Sequence, residues 1–330
     1  MRRLPSFVAF LLTGAVALTG CGIVGGASPT HTPTSTATPT ETPTATVTRT
    51  PTPTVTPTPT PEPTDTPTPE PRAEALPQGR TSVIRTRRGD ATGATLIFRG
   101  REYPMAADAA SFWVPIGAGA DVGPGRYTIT INLLDAGGAL LETRTSPIAV
   151  VPTDFPVEHL EVPVDGPNGL RSPDEVQQEE NIRSAVYARV TLSKLWSGAF
   201  IMPAAGPIST VFGTGRSYNG GPVSIHHSGT DIAASEGAPI VAAAAGRVAF
   251  AGLLTTRGLS VIVDHGLGVF TAYHHMSRTD VDEGQAVAKG QQLGLVGMTG
   301  LATGPHLHWE LVVGGENVDP VYWTFAGVAP

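Results

Sequence analysis

Gly246-Arg-Val-Ala-Phe-Ala-Gly252, Ser260-Val-Ile-Val-Asp-His-Gly266 and Gly268-Val-Phe-Thr-Ala-Tyr-His-His-Met276 are short apolar runs, rich in β-branched and aromatic residues and bounded by glycine. Runs of this kind read as strands, and turn signals recur at nearly every eighth to tenth residue beyond Phe200. Together they predict an all-β domain over 201–330. Seven of the nine histidines fall in it, between His226 and His308. One histidine in a core is commonplace. Seven in one all-β segment, beside an aspartate at suitable spacing, favour a metal site.

The first motif is His227-Ser-Gly-Thr-Asp231. Its glycine permits a tight turn, so an imidazole and a carboxylate can converge on one ion. The second is His306-Leu-His308, where strand alternation points both rings into one cleft and packs Leu307 behind. The third is Tyr273-His-His275, where alternation puts Tyr273 and His275 on one face and His274 on the other. Glu310, two residues beyond His308, reads as a structural partner on the same face. Arg216 and Asn219 border the cleft or serve a turn.

These motifs, His227-x-Gly-x-Asp231, Tyr273-x-His275-Met276 and Thr303-Gly-Pro-His306-Leu-His308-Trp-Glu310, resemble the signatures of the lysostaphin-type (LytM-like) zinc endopeptidases that hydrolyse peptidoglycan peptides. Gly284 to Gly300 is similar to the hairpin stretch before the last motif. The resemblance covers about 203–320 and has three motifs in order. It implies one zinc ion held by His227, Asp231 and His308, with His275 and His306 as the unliganded catalytic pair. Three protein ligands leave a position open for water, and zinc lowers the pKa of that water towards about 7. His275 is a candidate proton acceptor. His306, with Tyr273 assisting, is a candidate oxyanion donor, and which histidine does which stays open. Tyr273 and Asn219 are candidate oxyanion or substrate contacts.

Two rivals stand beside this enzyme. Some members of the fold lose zinc ligands and only regulate other wall hydrolases, but here all three ligands and both histidines are in place. Val287-Ala-Lys-Gly290 is similar to a lipoyl-type hairpin, a reading that leaves the histidines unexplained.

Upstream, Arg2 and Arg3 precede an apolar run from Phe7 to Leu18, too short to span a bilayer and right for a signal-peptide core. It ends in Leu18-Thr-Gly-Cys21, which resembles the bacterial lipobox. Residues 1–20 are expected to be a lipoprotein leader, with Cys21 lipidated and the protein extracytoplasmic, anchored to the membrane. Cys21 is the single cysteine, which excludes an internal disulfide framework. Residues 21–78 contain a Thr-Pro tract from Ser28 to Pro71 with nothing to bury, expected to be a disordered stalk reaching on the order of 130 Å.

Residues 79–156 predict a small Ig-like β-sandwich, built on runs such as Thr95-Leu-Ile-Phe98 and Tyr127-Thr-Ile-Thr-Ile-Asn-Leu133. A linker over 157–200 holds a helix at about 173–190, started by Ser172-Pro-Asp-Glu175. Ile182, Val186 and Val190 are its expected packing stripe, with Glu179 and Glu180 outside it. The formal charge of −7 becomes −9 once a leader with Arg2 and Arg3 is removed. With no basic run, nucleic acid is not an expected partner.

Overall fold

A computed structural model of the chain describes residues 74–109, 111–162 and 171–325. The leader, Cys21 and the Thr-Pro tract lie outside the described residues. The fold is mainly β, as expected. Among the described residues no helix is long and apolar enough to cross a membrane.

The first half is a two-sheet β-module. One sheet orders its strands Glu74–Pro77, Leu140–Val151, Gly125–Leu134, Gly93–Phe98 and Arg101–Pro104; the other runs Arg80–Thr86, Ser111–Ala118, Ala106–Asp108. Alternation in Gly93–Phe98 sends Ala94, Leu96 and Phe98 inward, where they meet Val114 and Ile116 of the second sheet. The sheet starts upstream of residue 79, because Glu74–Pro77 pairs in parallel with Ile148–Val151. This module packs directly on the second half. Trp113 meets Trp196 edge to face, and Arg80 pairs with Asp319 at 2.8 Å.

The second half is built on an antiparallel sheet with the order Ile208–Thr210, Thr230–Ala233, His306–Val313, Val269–Thr279, Gly258–Gly266, Gly246–Leu254 and Ala286–Val287. Its faces are chemically distinct. Leu307, Trp309, Leu311 and Val313 enter the main core with Tyr273, Val261 and Val263. On the opposite face Val312, Phe270, Ala272 and Ile262 pack beneath Val186 of the helix.

That helix, α1, spans Pro173–Tyr187 and starts as its sequence predicts, with Ser172 as N-cap and a reciprocal Glu175 capping box. It ends before the expected residue 190, and of the expected stripe only Val186 is buried. Ile182 and Val190 are 44% and 39% exposed, while the buried positions are Glu179, Arg183 and Val186. The reason is the partner surface: most of α1 covers a charged cluster, and only its last turn meets apolar sheet.

The stretch read as linker also contains a strand, Val157–Leu160. It pairs in parallel with Gly215–Tyr218, which in turn pairs with Val223–His226.

Candidate metal centre and active site

Asp231 and His308 sit directly opposite each other on neighbouring antiparallel strands. His227 enters from the turn four residues before Asp231. The result is a triangle of ligand atoms. His308 Nδ1 lies 2.7 Å from Asp231 Oδ1, His227 Nε2 lies 2.9 Å from His308 Nδ1, and His227 Nε2 lies 3.0 Å from Asp231 Oδ1. All three side chains are buried. Gly229 makes the approach possible through space rather than through its turn: a Cβ there would lie 2.3 Å from the carbonyl oxygen of Trp309.

Outer partners fix the triangle. His227 Nδ1 faces the Val211 carbonyl at 3.1 Å, His308 Nε2 faces Glu310 Oε1 at 3.0 Å, and Arg216 Nη2 donates to Asp231 Oδ2 at 2.9 Å. With the outer ring nitrogens donating, the inner three atoms are lone-pair donors crowded together, so a cation or a shared proton must lie among them. Two imidazoles and one carboxylate, each held from behind, fit zinc in both donor type and orientation.

The ionisation pattern agrees. Burial pushes His227 down to about 4, and Asp231 stays well below the usual carboxylate range because its two imidazole neighbours outweigh burial. Burial also opposes charge on His308, yet the flanking Asp231 and Glu310 carboxylates raise its pKa overall.

Beside the triangle stand two more rings. His275 and His306 have centroids 4.7 Å apart, and His275 lies 6.0 Å from His308. His275 Nδ1 faces the Thr299 carbonyl at 2.7 Å and His306 Nδ1 faces the Gly304 carbonyl at 2.8 Å. Each Nε2 is left for other work. Burial, with His306 and His308 adding to it, holds the His275 pKa well below its ordinary value.

The way His275 reaches the site departs from simple alternation. Tyr273 and Met276 both point into the main core, with two residues between them instead of one. Val261–Leu259 on the neighbouring strand spans two residues where Tyr273–Met276 spans three. His275 is the extra residue of this bulge, at φ 59°, and the bulge turns it onto the same side as His274 and His308.

A groove of about 310 Å³ opens over Asp231, His275, His306 and His308. The 301–305 loop forms one rim, and Arg216, Glu158 and Leu160 form another.

Residues 225–320 match the family model for Peptidase family M23. The C-terminal domain of this chain belongs to peptidase family M23. Similar proteins include the DD-carboxypeptidase/endopeptidase Mpg of Neisseria meningitidis, 43% identical over 95 residues, or 29% of this chain and 22% of that one. The peptidoglycan DD-endopeptidase ShyA of Vibrio cholerae is 42% identical over 93 residues, 28% of this chain and 22% of that one. This chain therefore spans about a fifth of the length of these curated relatives. A crystal structure of a Pseudomonas aeruginosa protein described as peptidase M23 aligns with a TM-score of 0.58 at 25% identity. It covers 75% of this chain and 93% of the other, so the likeness extends beyond the M23 domain.

Within the M23 domain, Tyr273 is not at the groove. It is fully buried, and its hydroxyl accepts the Ala243 N–H and meets Thr271 Oγ1, both at 2.8 Å. Thr271 in turn meets His265 Nε2 at 2.8 Å, and His265 Nδ1 donates to the Ala245 carbonyl at 2.8 Å. Asn219 is likewise structural: its amide brackets the backbone of Val162, accepting at 2.8 Å and donating at 3.0 Å. Of the two residues read as bordering the cleft, Arg216 lines it and Asn219 secures the segment behind it.

Four residues that sequence reasoning left out or placed elsewhere stand behind His308. Glu310 accepts from Ser228 Oγ at 2.7 Å, Arg257 Nε at 2.9 Å and Arg183 Nη2 at 2.5 Å, and His274 stacks on His308 with centroids 5.5 Å apart. Burial opposes ionisation of Glu310, but Arg183 and Arg257 hold its pKa well below the usual range.

Proposed function

We propose that this protein is a zinc-dependent endopeptidase that hydrolyses peptide bonds of bacterial peptidoglycan, working outside the cytoplasm as a lipoprotein held by Cys21. The observation that carries the reading is the convergence of His227, Asp231 and His308 beside the His275–His306 pair, with Asp231, His275, His306 and His308 lining one groove. The M23 match, a relative named as a DD-carboxypeptidase/endopeptidase and another named as a peptidoglycan DD-endopeptidase support the substrate class. The Thr-Pro stalk would give a tethered enzyme reach into the wall.

Zinc bound by His227 Nε2, Asp231 Oδ1 and His308 Nδ1 would polarise the scissile carbonyl and supply an activated water at neutral pH. The chain's own groups do the rest. His275, with its Nδ1 proton held by Thr299 and its pKa held low by burial, is neutral at pH 7 and accepts a proton at Nε2. His306, whose Nδ1 faces the Gly304 carbonyl, presents Nε2 as a hydrogen-bond donor to the developing oxyanion. Arg216 donates to Asp231 and keeps its carboxylate aimed.

The test is zinc content and muropeptide digestion by the purified protein, with products identified by mass. Wild type is expected to hold one zinc and cleave. His308→Ala should lose the metal, and His275→Ala should keep zinc while losing hydrolysis. A zinc-free, inactive wild type would instead favour a regulator of other wall hydrolases.

A further inference from the structure

We propose that α1, which lies outside the segment matched by the family, is a positioning strut for both halves of the reaction centre. One arm sets the metal ligand His308 and the other sets His275. The inference rests on the metallopeptidase reading above and adds to it the element that aims the site.

The first arm is Arg183–Glu310–His308. Arg183 is buried and reaches across from the helix to Glu310 Oε2 at 2.5 Å. The other oxygen, Oε1, takes His308 Nε2 at 3.0 Å together with Arg257 and Ser228. Ser228 is the residue directly after the ligand His227, so the same carboxylate touches both histidine-bearing segments. A carboxylate behind a metal-bound imidazole fixes its tautomer and ring angle, and losing such support costs roughly 10–100-fold in metal affinity or activity.

The second arm is Glu179–Arg257–His275. Glu179 receives the backbone N–H groups of Thr256 and Arg257 and pairs with Arg257 Nη1 at 2.7 Å. The Arg257 carbonyl then accepts the backbone N–H of His275 at 2.9 Å. That N–H belongs to the extra residue of the bulge, so it lacks an ordinary ladder partner and depends on the 256–257 turn. A helix whose buried face carries Glu179 and Arg183 is poorly explained as packing, because desolvating two charges offsets much of what their pairing returns. As the anchor of both arms its polarity has a purpose.

The experiment uses the whole chain and two single variants. Zinc affinity is measured by chelator competition, the ligand field by the visible spectrum of the cobalt-loaded protein, and kcat and KM on a defined muropeptide. Arg183→Met should weaken zinc binding about 10–100-fold and shift the cobalt spectrum. Glu179→Gln, whose partner Arg257 also reaches Glu310, should weaken zinc binding less than Arg183→Met does while lowering kcat about tenfold at unchanged KM. Arg183→Lys should recover part of the lost affinity. If Arg183→Met does not fold, Arg183→Met with Glu310→Leu removes both charges together and should fold yet still bind zinc weakly. Unchanged zinc affinity and cobalt spectrum in the folded variant overturns the inference and leaves the proposed function standing. A wild type that takes up no zinc overturns both.

Discussion

His275 Nδ1 lies 2.7 Å from the carbonyl oxygen of Thr299 while the His275 backbone sits at φ 59°, so the ring is pinned at one end by a contact and at the other by a strained bulge. Asparagine tolerates this left-handed backbone at least as well as histidine. His275→Asn is therefore expected to melt at or slightly above the wild-type temperature. Muropeptide cleavage should fall by about 10²–10⁴, the usual worth of a positioned acid–base group. Calorimetry and turnover on the same preparation check the pair of outcomes, and retained activity contradicts the role given to His275.

Tyr273→Phe separates a core hydroxyl from a catalytic one. The Tyr273 hydroxyl satisfies the Ala243 N–H and stands in line with Thr271 and His265. Its removal leaves buried polar groups short of a partner and should cost about 1–3 kcal/mol in a urea melt. Turnover per folded molecule should not change. A drop in kcat without a loss of stability would put the hydroxyl back at the reaction.

Gly229→Ala is expected to be far more damaging than its size suggests. The added methyl would lie 2.3 Å from the Trp309 carbonyl and 3.0 Å from His308 Cε1. Overpacking of this kind costs about 1–3 kcal/mol and here would push apart the Thr230–Trp309 pair beside both ligand strands. Zinc content of the folded fraction and melting temperature are the measurements. Full zinc occupancy would show that the strands can yield.

Acid should destabilise the metal-free protein partly through His265. Burial lowers its folded pKa to about 4, below the value of about 6.5 expected for the unfolded chain. Between those values the unfolded state binds a proton that the folded state refuses. Stability therefore falls as pH drops below about 6.5, by up to about 1.4 kcal/mol per pH unit, and this contribution levels off below about 4. Urea midpoints of wild type and His265→Gln from pH 7.5 to 4.5 test it. The variant should show a shallower acid slope, and identical slopes would exclude His265 as a contributor.

The sequence made some features legible and hid others for identifiable reasons. Period-two alternation over 306–313 holds throughout, so His306, His308 and Glu310 do share a face with Leu307 and Trp309 behind. The same rule failed across Tyr273-His-His275 because a bulge inserts one residue, and bulges leave no mark in an apolar pattern. Glycine at 229 was visible, but its reason was taken to be a turn and proves to be contact with Trp309. On α1 the capping residues were readable because they act locally. Its buried face was not, since Glu179 and Arg183 are buried by partners at Arg257 and Glu310, 78 and 127 residues away.

The Val157–Leu160 strand has a practical consequence for anyone trimming this protein. It is stitched alongside Gly215–Tyr218 from well upstream of the family-matched stretch, and it brings Glu158 and Leu160 to the cleft. A fragment beginning at residue 201 would keep all seven histidines of the cluster yet lose one bank of its trench. It would also bare a raw sheet margin that invites self-association. Sluggish or clumping behaviour in such a truncate would speak of the missing bank and not of faulty chemistry.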